Sequence, residues 1–427
     1  MIYLIFTLQF PSGSMSMFSA DRILLLISST LLIAYIGNLF YTKTKIPDIV
    51  WVLAFGIVLG PVLGYFDKAL FLELAPLMST LALSIILFEA GINADIKLLI
   101  GSLRKATFLS VATILSVTLA VGFSLSTFMP SSFTLLQAML LGTMIGGTST
   151  IAVLGVLSGL DKIVPNIEGT RTLLMLESVV SDPICIISSV TLIRMIMMPG
   201  VSVMEGFANI LKTFILSSLL GFVMGLLWAE ALDKLRGRSL NYIMTLAILF
   251  PAYILAERLI GEGGGPMATL TFGIMITNYG YIARKFGIVR NVKIDTRYLR
   301  EVHEEIAFFI KAFFFVYVGL IVSISTEYVV IGLGVLALIM VIRFVVVSVV
   351  GRAVNFSRQE RVLSILIYAS GLPAFVMSQL PLIYDPERQF FLDPAIYPNL
   401  VMPIVLGTVL FAAVSAPLMA KRLLKEE

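Results

Sequence analysis

The chain has 427 residues, of which 59% are hydrophobic and only 13% are charged, whereas soluble domains contain roughly 45–50% apolar residues. This composition excludes an ordinary water-soluble domain and indicates that lipid surrounds most of the chain. The formal net charge is only +4, and no basic stripe stands out, so nucleic acid is not expected as a partner.

Apolar runs between charged residues or Pro/Gly breaks predict thirteen transmembrane helices, which we number as spans 1 to 13. The spans lie near residues 21–41, 47–66, 69–92, 104–129, 134–158, 168–198, 206–232, 239–259, 264–282, 301–325, 327–352, 360–383 and 396–422. We therefore expect an all-α integral membrane protein, with residues 1–427 forming a single transporter domain. Residues 1–17 lack the basic start of a signal peptide, and their role stays open.

Lysine and arginine collect on every second connection between the spans. Such connections include those with Lys43, Lys105 and Arg236, whereas the opposite connections hold little beyond Lys68 and Arg388. Because positively charged connections are retained in the cytoplasm during insertion, we expect a multi-pass protein of the cell membrane. Its N-terminus is predicted outside and its C-terminus in the cytoplasm.

Two spans contain residues that interrupt a helix. Span 5 contains GGTSTIAV, with Gly146 and Gly147, and span 12 contains ASGLPAFV, with Gly371 and Pro373. With span 7 as a linker, spans 1–6 and 8–13 form inverted halves whose fifth members are these two spans. Paired interruptions in inverted halves indicate a transporter binding site near the bilayer midplane, where broken helices 5 and 12 are expected to cross.

Five ionisable side chains are candidates for charges inside the bilayer: Glu89, Glu177, Asp182, Lys311 and Arg343. An ionised group at the centre of a membrane helix costs at least about 2.5–3.5 kcal/mol, so each of them needs a partner, a proton or a task. Lys311 lines the ion path, pairs with a carboxylate or snorkels to the cytoplasmic interface. Of these three alternatives we favour snorkelling.

Asp182 lies well inside span 6 and is followed by Pro183, which removes a backbone donor and loosens the helix. A carboxylate in a partly wet, low-dielectric cavity can exchange a proton for a metal cation, because the two charges compete for one negative site. We favour this role over a structural salt bridge. Neutral oxygens that an alkali cation prefers are available nearby, although Ser and Thr also serve as packing residues in membrane helices. These neutral oxygens belong to Thr148, Ser149, Ser178 and Ser181.

Glu177 precedes Asp182 by five residues, which places it about 140° away around the helix. The two carboxylates are therefore expected to have different roles. We expect Glu177 to pair with Arg343, because a guanidinium stays charged and binds carboxylates bidentately. His303, the only histidine, is expected in the basic stretch before span 10, where a solvated side chain is favoured over a pH sensor.

These residues resemble the monovalent cation/proton antiporter superfamily, and are nearest to the NhaP-type sodium/proton antiporters. KIPDIVWVLAFGIVLGP is similar to the second span of that family, ILFEAGINADI to the third, GGTSTIAVLGVL to the fifth, ESVVSDP to the sixth and FFFVYVGL to the tenth. The resemblance implies that Asp182 binds the alkali cation, with Glu89, Thr148 and Ser178 around it. It also implies that Glu177 forms an ion pair with Arg343.

Two positions depart from the family pattern. Ser181 stands where Asn is usual, and the usual Thr-Asp-Pro is here Thr148-Ser149-Thr150, so one carboxylate is missing. Sodium is the favoured cation, and potassium remains an alternative.

The resemblance further implies a homodimer in which an ion-binding bundle moves against a fixed dimerisation part. We assign spans 3–6 and 10–13 to the bundle and spans 1–2 and 7–9 to the dimerisation part. With Asp182 as the exchanging carboxylate, we expect electroneutral cation/proton exchange, with no enzyme activity and no cofactor besides the transported ions. A sodium-coupled symporter and a channel are the rival functions.

Overall fold

The computed structural model describes residues 20–423, except 45–47, 67–70, 72–73, 95, 161–163, 165, 199–202, 237–239, 241, 262, 286–293, 324 and 386. Residues 1–17, whose role the sequence left open, lie outside this part. The described residues form helices and no strand. The fifteen helices are α1 (Ala20–Thr44), α2 (Asp48–Ile57, continued by a π-helical turn over Val58–Val62), α3 (Ala75–Asn93), α4 (Ile96–Phe128), α5 (Leu135–Ile145), α6 (Thr150–Leu160), α7 (Glu168–Met197), α8 (Val203–Lys234), α9 (Met244–Leu259), α10 (Gly264–Lys285), α11 (Thr296–Ile321), α12 (Thr326–Ala353), α13 (Arg358–Leu366), α14 (Leu372–Tyr384) and α15 (Ile396–Leu423).

Six of these helices, α1, α4, α7, α8, α12 and α15, are long and apolar enough to cross a membrane by length and composition. Large apolar side chains on them face outward, for example Phe108, Leu115 and Phe123 on α4. A bilayer can surround such surfaces because helices satisfy their own backbone hydrogen bonds. The expected all-α membrane protein is confirmed, whereas the number of spans stays a prediction.

Both predicted interruptions are present. Helix α5 ends at Ile145 and α6 begins at Thr150, and α13 ends at Leu366 before α14 begins at Leu372. The two non-helical segments contact each other, since the Ser149 backbone N–H donates to the Ala369 carbonyl at 2.7 Å. Spans 5 and 12 therefore each consist of two short helices that meet at irregular backbone.

Capping boxes fix the starts of the two helices that lead into these interruptions. At α5, the Thr134 hydroxyl accepts from the Gln137 N–H, and the Gln137 side chain accepts from the Thr134 N–H. Ser357 and Glu360 form the same pair of bonds at the start of α13. Each box satisfies N–H groups that would otherwise lack partners at the helix start.

Packing contacts divide the described helices into two groups. Helix α10 packs along α3 and α8, and α11 packs along α2 and α3, whereas α4 packs against α5, α7 and α12, and α12 packs against α15. Spans 3 and 10, here α3 and α11, are predicted from sequence to belong to the ion-binding bundle. Their packing joins them to α2 and α10, which were assigned to the other part.

Candidate ion-binding site

Asp182 lies in α7 and is 8% exposed. Its carboxylate forms no hydrogen bond or ion pair with any residue that the structure describes. Pro183 follows it inside the helix, and because proline has no N–H, the carbonyl four residues earlier loses its helical donor. A buried, unpaired carboxylate is costly when ionised, so Asp182 needs either a proton or a cation.

Hydroxyl and carbonyl oxygens form a cluster on the face of α7 that carries Asp182. Ser178, one turn before Asp182, donates to the Thr148 carbonyl at 2.6 Å and accepts from the Thr150 hydroxyl at 2.9 Å. The Thr148 N–H donates to the Ser181 hydroxyl at 3.2 Å. These bonds attach the interruption between α5 and α6 to the helix turn that ends at Asp182.

The side-chain oxygen of Thr148 is buried and has no hydrogen-bond partner among the described residues. Buried hydroxyls are usually bonded, so an unsatisfied one calls for an explanation such as a bound ion. The Thr148 carbonyl, which accepts from Ser178, keeps a second lone pair. Carboxylate, hydroxyl and carbonyl oxygens are the ligands that hard cations prefer, so Asp182, Thr148 and Ser178 suit an alkali cation.

The interruption between α13 and α14 forms hydrogen bonds to the interruption between α5 and α6. Tyr368 donates to the Ile145 carbonyl at 2.6 Å, and the Ser370 hydroxyl lies 3.1 Å from the carbonyls of both Ile145 and Gly147. A Cβ on Gly371 would lie 2.3 Å from the Ser149 Cβ, so only glycine fits here. Pro373 lies in the first turn of α14, where its missing N–H costs nothing.

Arg343 and Glu177 form a buried ion pair, as is expected from the sequence. Arg343 is fully buried and Glu177 is 2% exposed. One guanidinium nitrogen bonds to Glu177 Oε1 and, at 3.1 Å, to the Thr113 hydroxyl, and another donates to Glu177 Oε2 at 2.8 Å. Arg343 Nε donates to the Ser364 carbonyl at 2.7 Å. The pair thereby connects α4, α7, α12 and α13.

Lys311 pairs with Glu89 rather than snorkelling to the interface. The Lys311 Nζ lies 2.5 Å from Glu89 Oε2, and each side chain is 16% exposed. The snorkelling expectation is wrong because α3 presents a carboxylate to α11 at this level. No hydrogen bond or ion pair among the described residues links Glu89 to the cluster around Thr148 and Ser178.

His303 lies inside α11, not in a solvated loop. It is 1% exposed, its Nδ1 lies 2.8 Å from the Leu299 carbonyl, and its ring centre lies 4.9 Å from that of Phe88. The expectation of a solvated side chain is wrong because His303 lies on the face of α11 that packs on α3.

Sequence reasoning missed several partners of the site residues. The Thr150 hydroxyl donates to Ser178 and the Ser370 hydroxyl to the Ile145 carbonyl, whereas the Thr113 hydroxyl and the Ser364 carbonyl accept from Arg343. Thr150 and Ser370 had a usable signal, since each is a hydroxyl residue within or next to an interruption. Thr113 and Ser364 had none, because nothing in their local sequence indicates a buried guanidinium.

The sequence matches the family of transmembrane sodium/hydrogen exchangers over residues 28–426. The structure is similar to that of the sodium proton antiporter MjNhaP1 from Methanocaldococcus jannaschii at pH 8, with a TM-score of 0.74 and 18% sequence identity, over 95% of this chain and 100% of that chain. A second structure of MjNhaP1, from an electron microscopy map, gives a TM-score of 0.74 and 20% identity over 96% of this chain and 99% of that chain.

Proposed function

We propose that this chain, which belongs to the family of transmembrane sodium/hydrogen exchangers, exchanges one alkali cation for one proton at Asp182. The observation that carries the proposal is the buried Asp182 carboxylate, which has no partner among the described residues and follows the oxygen cluster on α7. One negative charge holds either a proton or a cation, so binding of one expels the other.

The cation is proposed to be Na⁺, in keeping with the family, with K⁺ as the alternative. Asp182 supplies the charge, and the carbonyl and hydroxyl of Thr148 and the hydroxyl of Ser178 replace water around the ion. Ser181 holds the Thr148 backbone in place through its hydrogen bond. Ser149 supports the site through its bond to Ala369. Because Glu89 is neutralised by Lys311, we place it outside this ligand set.

A cavity of about 190 Å³ supports access of ions to Asp182 from the outer side. Its walls come from α7 and α14 and from α3, α9 and α10. Ile186 and Val190, one and two turns after Asp182, line it, so it leads along the Asp182 face of α7. It lies toward the end that the Lys/Arg distribution assigns to the outside.

This arrangement supports alternating access by movement between two groups of helices. We propose that α4–α7 and α12–α15 carry the ion and move against α1–α3 and α9–α11, with α8 connecting them. Helix α8 exposes an apolar stripe of Leu211, Ile215 and Leu219. Such a stripe suits either lipid or a second copy of the chain, and we propose that a homodimer forms on this side.

The test is cation-induced dissipation of a pH gradient in proteoliposomes, with Na⁺, K⁺ and Li⁺ in turn. Asp182→Asn should abolish the signal, because an amide cannot carry the exchanged proton. Asp393→Asn is the matched control, since its carboxylate lies in the loop after α14 and, within the described part of the chain, accepts a hydrogen bond from the Ala395 N–H alone. Full activity in Asp182→Asn would refute the proposed site. No proton flux with any cation in wild type would favour a sodium-coupled symporter.

A further inference from the structure

A second cavity, of about 600 Å³, lies away from the Asp182 site. Its walls come from α4, the start of α7, the end of α12 and the start of α13. This is the end of the bundle that the Lys/Arg distribution assigns to the cytoplasm. The volume is within the range of small-molecule sites, roughly 300–1,000 Å³, and the proposed exchange uses none of the residues that line it.

The charge of this cavity is positive. Lys105 Nζ donates to both carboxylate oxygens of Glu360, at 2.9 and 2.8 Å, so these two charges cancel. Arg352 and Arg361 also line the cavity, and their side chains form no hydrogen bond or ion pair with residues in the described ranges. Two uncompensated guanidinium groups therefore converge on one space.

The Nε of Arg361 is buried and has no hydrogen-bond partner among the described residues. It lies 3.4 Å from the point where a Cβ on Gly351 would sit, so this glycine lets the guanidinium pack closely against α12. A buried donor without an acceptor costs free energy that an incoming acceptor recovers. Arg361 can therefore donate a hydrogen bond to an anionic ligand.

Backbone donors add to this preference. Helix α7 starts at Glu168, and its N-cap residue, Ile167, provides no side-chain hydrogen bond. The N–H groups of the first turn have no helical acceptor and favour negative charge. Gly169 and Thr170 of that turn line the cavity, and nothing lies within 4 Å of the Cβ position of Gly169. A ligand oxygen can therefore approach this backbone.

We propose that this cavity binds a phosphate-bearing anion, held by Arg352 and Arg361 and by the first turn of α7. Phosphate matches the planar, bidentate donors of arginine. Its source is either the headgroup of an anionic phospholipid, which basic pockets at the cytoplasmic face recognise, or a soluble phosphate compound. Bound there, the anion ties together α7 and α12, the helices that carry Glu177 and Arg343, and so stabilises the bundle.

The test measures the unfolding temperature of the purified full chain in detergent. One arm adds inorganic pyrophosphate, compared with sodium chloride at equal ionic strength. The other adds phosphatidylglycerol to delipidated protein, compared with phosphatidylcholine. At least one probe should give a saturable rise. A response to pyrophosphate assigns a soluble phosphate compound, and a response to phosphatidylglycerol alone assigns a lipid headgroup.

In the double variant Arg352→Gln/Arg361→Gln, the affinity for the active probe should fall at least about tenfold, because two charge-assisted contacts are lost. Arg297→Gln, which removes an exposed arginine charge elsewhere, is the matched control and should respond as wild type. The single variant Arg352→Gln changes only an exposed side chain. It therefore tests the proposal even if the double variant does not fold. Unchanged affinity in Arg352→Gln and the double variant, or no response of wild type to either probe, would overturn the proposal.

Discussion

At the scale of single residues, a substitution at Thr148 can test ion coordination without disturbing the packing. Its hydroxyl has no hydrogen-bond partner among the described residues, so Thr148→Val removes an oxygen without breaking a bond. We expect the free energy of unfolding to change by less than about 1 kcal/mol. The apparent KM for Na⁺ in proteoliposomes should rise about five- to tenfold, because one ligand is lost.

Thr148→Ser keeps the hydroxyl and is the control for this experiment. Its KM should stay near that of wild type, even if the lost methyl group costs some stability. A KM in Thr148→Val equal to that of wild type would remove this hydroxyl from the ligand set and leave only the Thr148 carbonyl.

The buried pair of Glu177 and Arg343 leads to a stability prediction. Arg343→Met leaves the Glu177 carboxylate buried without its partner, and breaking such a pair costs about 3–5 kcal/mol. The double variant Glu177→Met/Arg343→Met removes both charges and should recover much of this loss. Thermal unfolding of the detergent-solubilised protein gives the comparison.

The exposed pair of Arg297 and Glu301 supplies the control for that cycle. Arg297→Met should change the free energy of unfolding by no more than about 0.5 kcal/mol, as is typical of an i,i+4 pair on a helix surface. An Arg343→Met variant as stable as Arg297→Met would show that the buried pair does not hold α4, α7, α12 and α13 together.

At the scale of helices, the contact between the two interruptions depends on Gly371. Gly371→Ala places a Cβ 2.3 Å from the Ser149 Cβ, and such overpacking typically costs about 1–3 kcal/mol. We expect lower stability and slower exchange. Ser149→Gly removes the clashing atoms, so the double variant should regain stability.

Gly334→Ala is the control for Gly371→Ala, because nothing lies within 4 Å of the Cβ position on that exposed glycine of α12. Alanine there should be neutral or stabilising, since it is the better helix former. If Gly371→Ala behaved like Gly334→Ala, the close approach of the two interruptions would be refuted.

The loop after α14 is predicted to depend on pH through Asp385. Its carboxylate accepts the backbone N–H groups of Gln389, Phe390 and Phe391 at 2.8–2.9 Å. Burial raises the pKa of Asp385, but these three donors lower it by more, so the pKa lies below its ordinary value. A lowered pKa stabilises the fold above the unfolded-state pKa of about 3.9, and this contribution is lost as the pH falls through the folded-state pKa.

Asp385→Asn should therefore be less stable than wild type at pH 7, with a difference that shrinks below about pH 4. Unfolding temperatures of both proteins between pH 7 and pH 3 test this directly. A difference that stayed constant over the whole range would exclude the ionised carboxylate as the stabilising group.

The interruptions and their crossing were predictable from sequence, whereas the individual residues that contact each other across them were not. Gly146 and Gly147, like Gly371 and Pro373, are poor helix formers inside apolar runs, which is a local signal. The pairing of Lys311 with Glu89 depends on how α3 and α11 pack, and three roles for Lys311 were open at the sequence level. Glu177 and Arg343 could be paired in advance because each needed an opposite charge inside the bilayer.

At the scale of the whole molecule, the charge balance of the buried residues predicts electroneutral exchange. Glu177 is neutralised by Arg343 and Glu89 by Lys311. Asp182 is the remaining carboxylate of the three that are candidates for charges inside the bilayer, and no partner for it occurs among the described residues. If Asp182 carries Na⁺ in one direction and H⁺ in the other, both states of the moving helices have the same net charge.

A sodium jump applied to proteoliposomes on a solid-supported membrane should therefore give no transport current, while an enclosed pH dye reports proton flux in the same preparation. Asp182→Asn, which should give neither signal, sets the baseline for both. A current that scales with the dye signal would mean that the two ions are not exchanged one for one. A second group would then have to take up a proton during the cycle. Glu89 would be the first to examine, because its side chain and that of its partner Lys311 are each 16% exposed and not fully buried.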